Sequence, residues 1–195
     1  MNSPRWAGLR IGLFGGSFNP PHQGHLDLSR TALRMLGLDC VWWMVTPANP
    51  LKKGTAYEPL ASRLHECELL VENDPRLLVC NLEGEREFYR TFDTLTFLKK
   101  HFRQTDFVFL MGTDSASNFH HWHRWQEIPT LMPLGIIPRP PAPALVKNMP
   151  LGMVRRCRHI HVSRPFFGDL RTETCFWMHH HPLNNQSSTL LRKRI

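Results

Sequence analysis

The sequence contains no CxxC pair. Its five cysteines, Cys40, Cys67, Cys80, Cys157 and Cys175, are odd in number and far apart. That argues against a disulfide framework or a cysteine zinc site and leaves them as small packing residues. No stretch approaches the roughly 18 consecutive apolar residues of a membrane span. The opening MNSPRWAGLR lacks the long apolar core of a secretory leader, so the expectation is a cytoplasmic protein with no membrane partner. Acidic residues are scarce: 16 against 24 Lys and Arg, for a net charge of +8. Such a surplus suits either nucleic acid or a substrate carrying several phosphates. Apart from 155-RRCR-158 and 192-RKR-194 the charges are scattered. A basic, non-catalytic nucleic-acid-binding protein therefore stays open on charge alone.

Two common phosphate loops are also missing. The early glycines, Gly12, Gly15, Gly16 and Gly24, do not fit GxGxxG, and no Gly-Lys-Ser/Thr occurs. Nor is there an HExxH. His120, His121 and His123, like the run His179 to His181, are too closely spaced to chelate from one helix face, so no metal is assigned to them.

What the chain does contain is a series of short apolar runs, at 9–14, 40–46, 77–81, 106–111 and 134–137. They are continuous rather than alternating, as in strands buried on both faces of a parallel sheet. Helical spacing at 25–36, 58–72 and 93–102 separates them; Leu60, Leu64, Cys67 and Val71 share one stripe, with Pro59 suited to a first turn. The alternation predicts an α/β, Rossmann-like doubly wound parallel sheet with right-handed crossovers. Segments 158–162 and 175–179 read as late strands, 139–150 as a proline-rich loop, and 187–194 as a short C-terminal helix. At 195 residues the chain reads as one domain, 1–195, large enough to bury a core without staples.

The densest run of special residues is 15-GGSFNPPHQGHL-26, directly after the first apolar run. In open α/β sheets ligands bind beyond the carboxyl ends of the strands. Glycine lets the backbone approach a ligand closely, and a helix opening near Gly24 and His25 offers N–H groups to an anion. His22 and His25, three residues apart, share a face if both lie in that first turn.

This stretch resembles the (T/H)xGH signature of the nucleotidyltransferase superfamily, in the form carried by bacterial nicotinate-nucleotide adenylyltransferases. The resemblance implies that His22 and His25 contact the ATP phosphates. Gly15, Gly16, Ser17 and Phe18 would line the cleft between two nucleotides. Near the other end, 187-SSTLLR-192 resembles the family's SSTxxR, with Gln186 where a β-branched residue is usual. Its residue types suit phosphate on their own terms. Ser187 and Ser188 can cap a helix, Thr189 can donate, and Arg192 shares a face with Ser188.

Between these ends, 46-TPANPLKKG-54 resembles a P-x-NP-x-K loop, which would bring Lys52 to the phosphates or the mononucleotide. Arg63 resembles a family arginine on the following helix. The segment 89-YRTFDTL-95 resembles SYTxDTL; the carry-over is Thr91 to a nicotinate carboxylate, with Arg90 a possible added cation. In 109-FLMGTDSASNFHHWHRWQEI-128, Asp114 would meet ribose hydroxyls or a metal and Trp122 would stack on a pyridine ring, with Trp125 in the core. Arg139 resembles a strand-end arginine near adenine. The implied activity is adenylyl transfer from ATP to nicotinate mononucleotide, with Mg²⁺ held mainly by substrate phosphates and no nucleic acid involved. Nicotinamide mononucleotide is the alternative acceptor; phosphopantetheine, used in a sister family, fits the TxDTL and W…W segments less well.

Overall fold

The computed structural model describes residues 3–47, 57–138 and 149–178. Among the described residues seven strands form one sheet: β1 (Arg10–Gly16), β2 (Cys40–Val45), β3 (Leu77–Cys80), β4 (Asp106–Gly112), β5 (Leu134–Ile137), β6 (Arg158–Val162) and β7 (Thr174–Met178). Every pairing is parallel, in the order β3-β2-β1-β4-β5-β7-β6. This is the doubly wound sheet expected from the continuous apolar runs.

Strand alternation sends successive side chains to opposite faces. Leu13, Trp42, Met44, Phe107, Phe109, Ile136 and Trp177 lie in one core cluster. Phe14, Val41, Trp43, Val45, Val108, Leu110 and Phe176 lie in the other. Helix α4 (Thr91–His101) closes the first face with Phe92, Leu95 and Leu98. The second is closed by α1 (Gln23–Met35) and α2 (Leu60–Val71), through Leu26, Ala32, Leu33, Cys67 and Val71.

Three short helices complete the described residues that bear on the site: α3 (Leu82–Arg86), α5 (Thr113–Ser117) and α6 (Ile128–Leu131). At five, five and four residues they are too short to leave a periodic stripe in the sequence. Two boundaries also differ: Gly15 and Gly16 are the last residues of β1 rather than the start of the turn, and Pro59 is the N-cap of α2 rather than part of its first turn. Among the described residues no helix is long and apolar enough to cross a membrane. The expected C-terminal helix and residues 139–148 of the loop expected over 139–150 lie outside the described residues; at the loop's end Pro150 begins a 3-10 helix, Pro150–Met153.

The winding positions the site. From β1 the chain steps outward through β2 to β3, then crosses to β4 on the other flank of β1. The switch point therefore falls between β1 and β4, where crossovers leave in opposite directions and open a crevice beyond the strand ends. Helix α1 follows the turn after β1, and α5 follows β4 directly.

Candidate active site

The turn between β1 and α1 is built from the inside out. Phe18 carries φ +44, a conformation that a bulky residue rarely adopts. Its side chain is 1% exposed, stacked on Trp43 at 4.9 Å and 14° and set edge-on to Phe14 at 5.4 Å. Packing of this kind holds a strained residue in place. The ring also folds back over Gly16, where a Cβ would stand 3.1 Å from it. So Phe18, expected to line the cleft, has its ring in the core, and only its main chain can face a ligand.

His22 and His25 close the turn as a reciprocal cap. His22 is the N-cap of α1, and its Nδ1 accepts the Gly24 N–H at 3.1 Å. His25, at the third helical position, accepts the His22 N–H on its own Nδ1, also at 3.1 Å. The pair does with two imidazoles what a capping box does with Ser and Glu. A main-chain N–H only donates, so both Nδ1 atoms are acceptors and each neutral ring carries its proton on Nε2. The ring centroids are 3.8 Å apart, with the side chains 4% and 6% exposed. Below them Ser29 fixes the helix: its hydroxyl donates to the His25 carbonyl at 2.9 Å and accepts the Trp43 Nε1–H at 2.8 Å.

Beside this turn, the end of β2 is tied to three other segments. The Thr46 N–H donates to the Gly16 carbonyl at 2.9 Å, and the Thr46 carbonyl accepts from Arg63 at 2.8 Å. The Thr46 side chain is also hydrogen-bonded to Glu83, a buried residue of α3 that accepts the Thr94 hydroxyl at 2.9 Å. Burial pushes the Glu83 carboxyl above its usual range, against the opposing effect of the two threonines. Glu83 was not expected from the sequence, where it sits in the charged run LEGERE.

The other expected residues fall as follows. Ser17 presents its carbonyl to Arg63 at 2.7 Å. Arg63 is buried in the wall, its guanidinium engaged by main-chain carbonyls, a placement unlike that expected of a mononucleotide ligand. Thr91 opens α4, half-buried, and Arg90 is its exposed N-cap, with Nη1 3.4 Å from His123 Nε2. Asp114 is exposed in the first turn of α5. Trp122 packs edge-on to Phe109 at 6.0 Å and tilted on Phe119 at 5.2 Å and is partly buried against the core. Trp125 packs on Phe119 at 6.1 Å and is likewise only partly buried. Lys52, Arg139, Ser187, Ser188, Thr189 and Arg192 lie outside the described residues, as do His179 to His181. Among the described residues no three His, Cys, Asp or Glu side chains converge as a metal site.

The cytidylyltransferase-like family model matches residues 13–194. A protein of Mesorhizobium japonicum named probable nicotinate-nucleotide adenylyltransferase is 48% identical over 135 residues, 69% of each chain. One of the same name from Parvibaculum lavamentivorans is 37% identical over 187 residues, covering 96% of this chain and 92% of its own. The chain belongs to the nicotinate-nucleotide adenylyltransferase family. Solved adenylyltransferases share its fold. The nicotinic acid mononucleotide adenylyltransferase of Plasmodium falciparum complexed with NaAD aligns with a TM-score of 0.70 at 16% identity, covering 95% of this chain and 83% of that one. The same enzyme complexed with APC gives 0.68. In adenylyltransferase terms, the described residues hold the HxGH end of the chain and the segments carrying Thr91 and Trp122.

Proposed function

We propose that this chain transfers the adenylyl group of ATP to nicotinate mononucleotide, giving nicotinate adenine dinucleotide and pyrophosphate. The observation that carries the reading is the reciprocal histidine cap at the sheet's switch point. It sets two Nε2–H donors at the N-terminus of a 13-residue helix, an arrangement suited to anionic phosphates. Family membership supplies the acceptor.

In this reaction a phosphate oxygen of the mononucleotide attacks the α-phosphorus of ATP in line. The new P–O bond forms as the α–β bridging bond breaks, and pyrophosphate leaves with the electron pair. The attacking phosphate is already anionic, so no general base or covalent intermediate is needed. Catalysis rests on alignment and on donors aimed at the developing charge. His22 and His25 act there, joined by Arg192, Ser187, Ser188 and Thr189 on the ATP side, with Arg139 at the adenine. Lys52, Arg90, Thr91 and Trp122 serve the mononucleotide, the last by stacking on its pyridine ring.

Mg²⁺ would offset phosphate charge. It keeps most of its waters and leans on substrate phosphates, so a single exposed carboxylate beyond β4, Asp114, fits it without a protein cage. The direct test is pyrophosphate release from Mg-ATP with nicotinate mononucleotide, nicotinamide mononucleotide and phosphopantetheine in turn. The nicotinate acceptor should give the highest kcat/KM. Equal or higher turnover with another acceptor would move the assignment to that substrate.

A further inference from the structure

Arg63 lies within the first turn of α2 and is 1% exposed. Its Nε donates to the Glu58 carbonyl at 2.8 Å. Nη1 donates to the carbonyls of Ser17 at 2.7 Å and Thr46 at 2.8 Å, and Nη2 to that of Pro47 at 2.9 Å. The Tyr57 ring covers the guanidinium with its centroid 5.5 Å from Cζ. Guanidinium has five N–H donors, and four are committed to main-chain oxygens. An arginine that clamps a phosphate or carboxylate turns its fork toward the ligand. Here the fork gathers three separate pieces of chain: the turn after β1, the end of β2 and the lead into α2.

We propose that Arg63 is a positioning residue for adenylyl transfer, bracing the turn that carries the two histidines rather than binding the mononucleotide. The role rests on the function proposed above. Across a trans peptide the C=O and the following N–H point in opposite directions. Anchoring the Ser17 carbonyl on Arg63 therefore turns the Phe18 N–H away from the buried guanidinium. Phe18 is the residue at φ +44, so the turn is strained where Arg63 grips it. On the far side the Phe18 ring stacks on Trp43 and lies 4.8 Å from the His25 ring. The chain of contacts runs from Arg63 through Ser17 and Phe18 to His25. Through Thr46 it also reaches Glu83 and Thr94, at the base of the helix that Thr91 opens.

Arg63→Lys tests this. An ammonium is compact and cannot span four carbonyls laid out for a planar fork, and a displacement of about 1 Å at reacting groups can cost on the order of 10²-fold in rate. The expected result is a kcat for pyrophosphate release at least about tenfold lower, by that argument, with KM for nicotinate mononucleotide within about threefold of wild type. A large rise in that KM with kcat unchanged would make Arg63 a ligand and overturn the proposal. A lower melting temperature with both constants unchanged would reduce it to a fold contact and also overturn it. Should Arg63→Lys not fold, Tyr57→Leu removes the ring that holds the guanidinium plane against those four carbonyls and so loosens the grip. It should lower kcat with KM unchanged, and an unaltered kcat would refute the role. Wild-type turnover measured alongside separates a failure of the reaction assignment from a failure of this role.

Discussion

His22 has two separable jobs, and two substitutions pull them apart. Its Nδ1 caps α1 by accepting the Gly24 N–H, and its Nε2–H is the donor proposed for phosphate. Asparagine is among the best N-caps and can accept the same N–H, so His22→Asn keeps the cap and removes the imidazole. His22→Ala removes both. Losing an N-cap side chain costs about 0.5–2 kcal/mol. For a chain of this size each kcal/mol shifts the melting temperature by roughly 2–4 °C. His22→Ala should therefore melt a few degrees below wild type while His22→Asn melts near it. Activity should not follow that order. Removal of one donor to developing charge typically costs about 10²–10³ in kcat, and both variants should lose it alike. Thermal melts and pyrophosphate release on the same preparations read the two jobs side by side. Near-wild-type turnover by His22→Asn would refute the donor role. Equal melting of His22→Ala and wild type would refute the cap.

Three further outcomes follow from the packing around the turn. Gly16→Ala places a Cβ 3.1 Å from the Phe18 ring, whereas at Gly15 the nearest atom would be 3.7 Å away. Overpacking costs about 1–3 kcal/mol, so Gly16→Ala should melt below Gly15→Ala, and the reverse order would contradict the geometry. Ser29→Ala strands the buried Trp43 Nε1–H at a cost of about 1–3 kcal/mol; it should lower the melting temperature with little change in kcat, and an unchanged melt would count against that hydrogen bond. Glu83 has a raised carboxyl pKa in the fold. Its contribution to stability is thus full below the unfolded glutamate value of about 4.3 and is lost as pH rises through the folded value. Glu83→Gln removes that loss, so its melting temperature relative to wild type should climb from acid toward neutral pH. A flat or falling difference would show that the carboxyl is not perturbed as described.

The strands were legible because burial on both faces leaves a mark that survives without neighbours. Leu13, Trp42 and Val108 sit in unbroken apolar runs, and each run became a strand to within two residues. Helices α1, α2 and α4 were legible through the spacing of residues such as Leu26, Leu33, Cys67, Val71, Leu95 and Leu98. The short helices carried no such mark: LEGER and TDSAS span five residues each, too few for a stripe. Nothing local announced that β7 would insert between β5 and β6, because strand order is decided by long-range packing.

At the site, residue types were easier to read than residue orientations. The two histidines stood out by spacing, but only the fold shows that both Nδ1 atoms accept main-chain N–H groups at the start of α1. Phe18 and Arg63 were expected at ligands because of the motifs around them. One is buried by an aromatic stack behind a positive φ, the other by four main-chain carbonyls. Glu83 hid among three other charged side chains between 83 and 87, and its buried carboxyl is met by the Thr94 hydroxyl, eleven residues away.

The central claim is that the α-phosphate of ATP is transferred with its adenosine. ATP labelled at the α-phosphate, incubated with Mg²⁺ and nicotinate mononucleotide, should deliver the label to nicotinate adenine dinucleotide with one equivalent of pyrophosphate and no orthophosphate. Label left in ATP, or recovered in AMP, or release of orthophosphate in place of pyrophosphate, would contradict it.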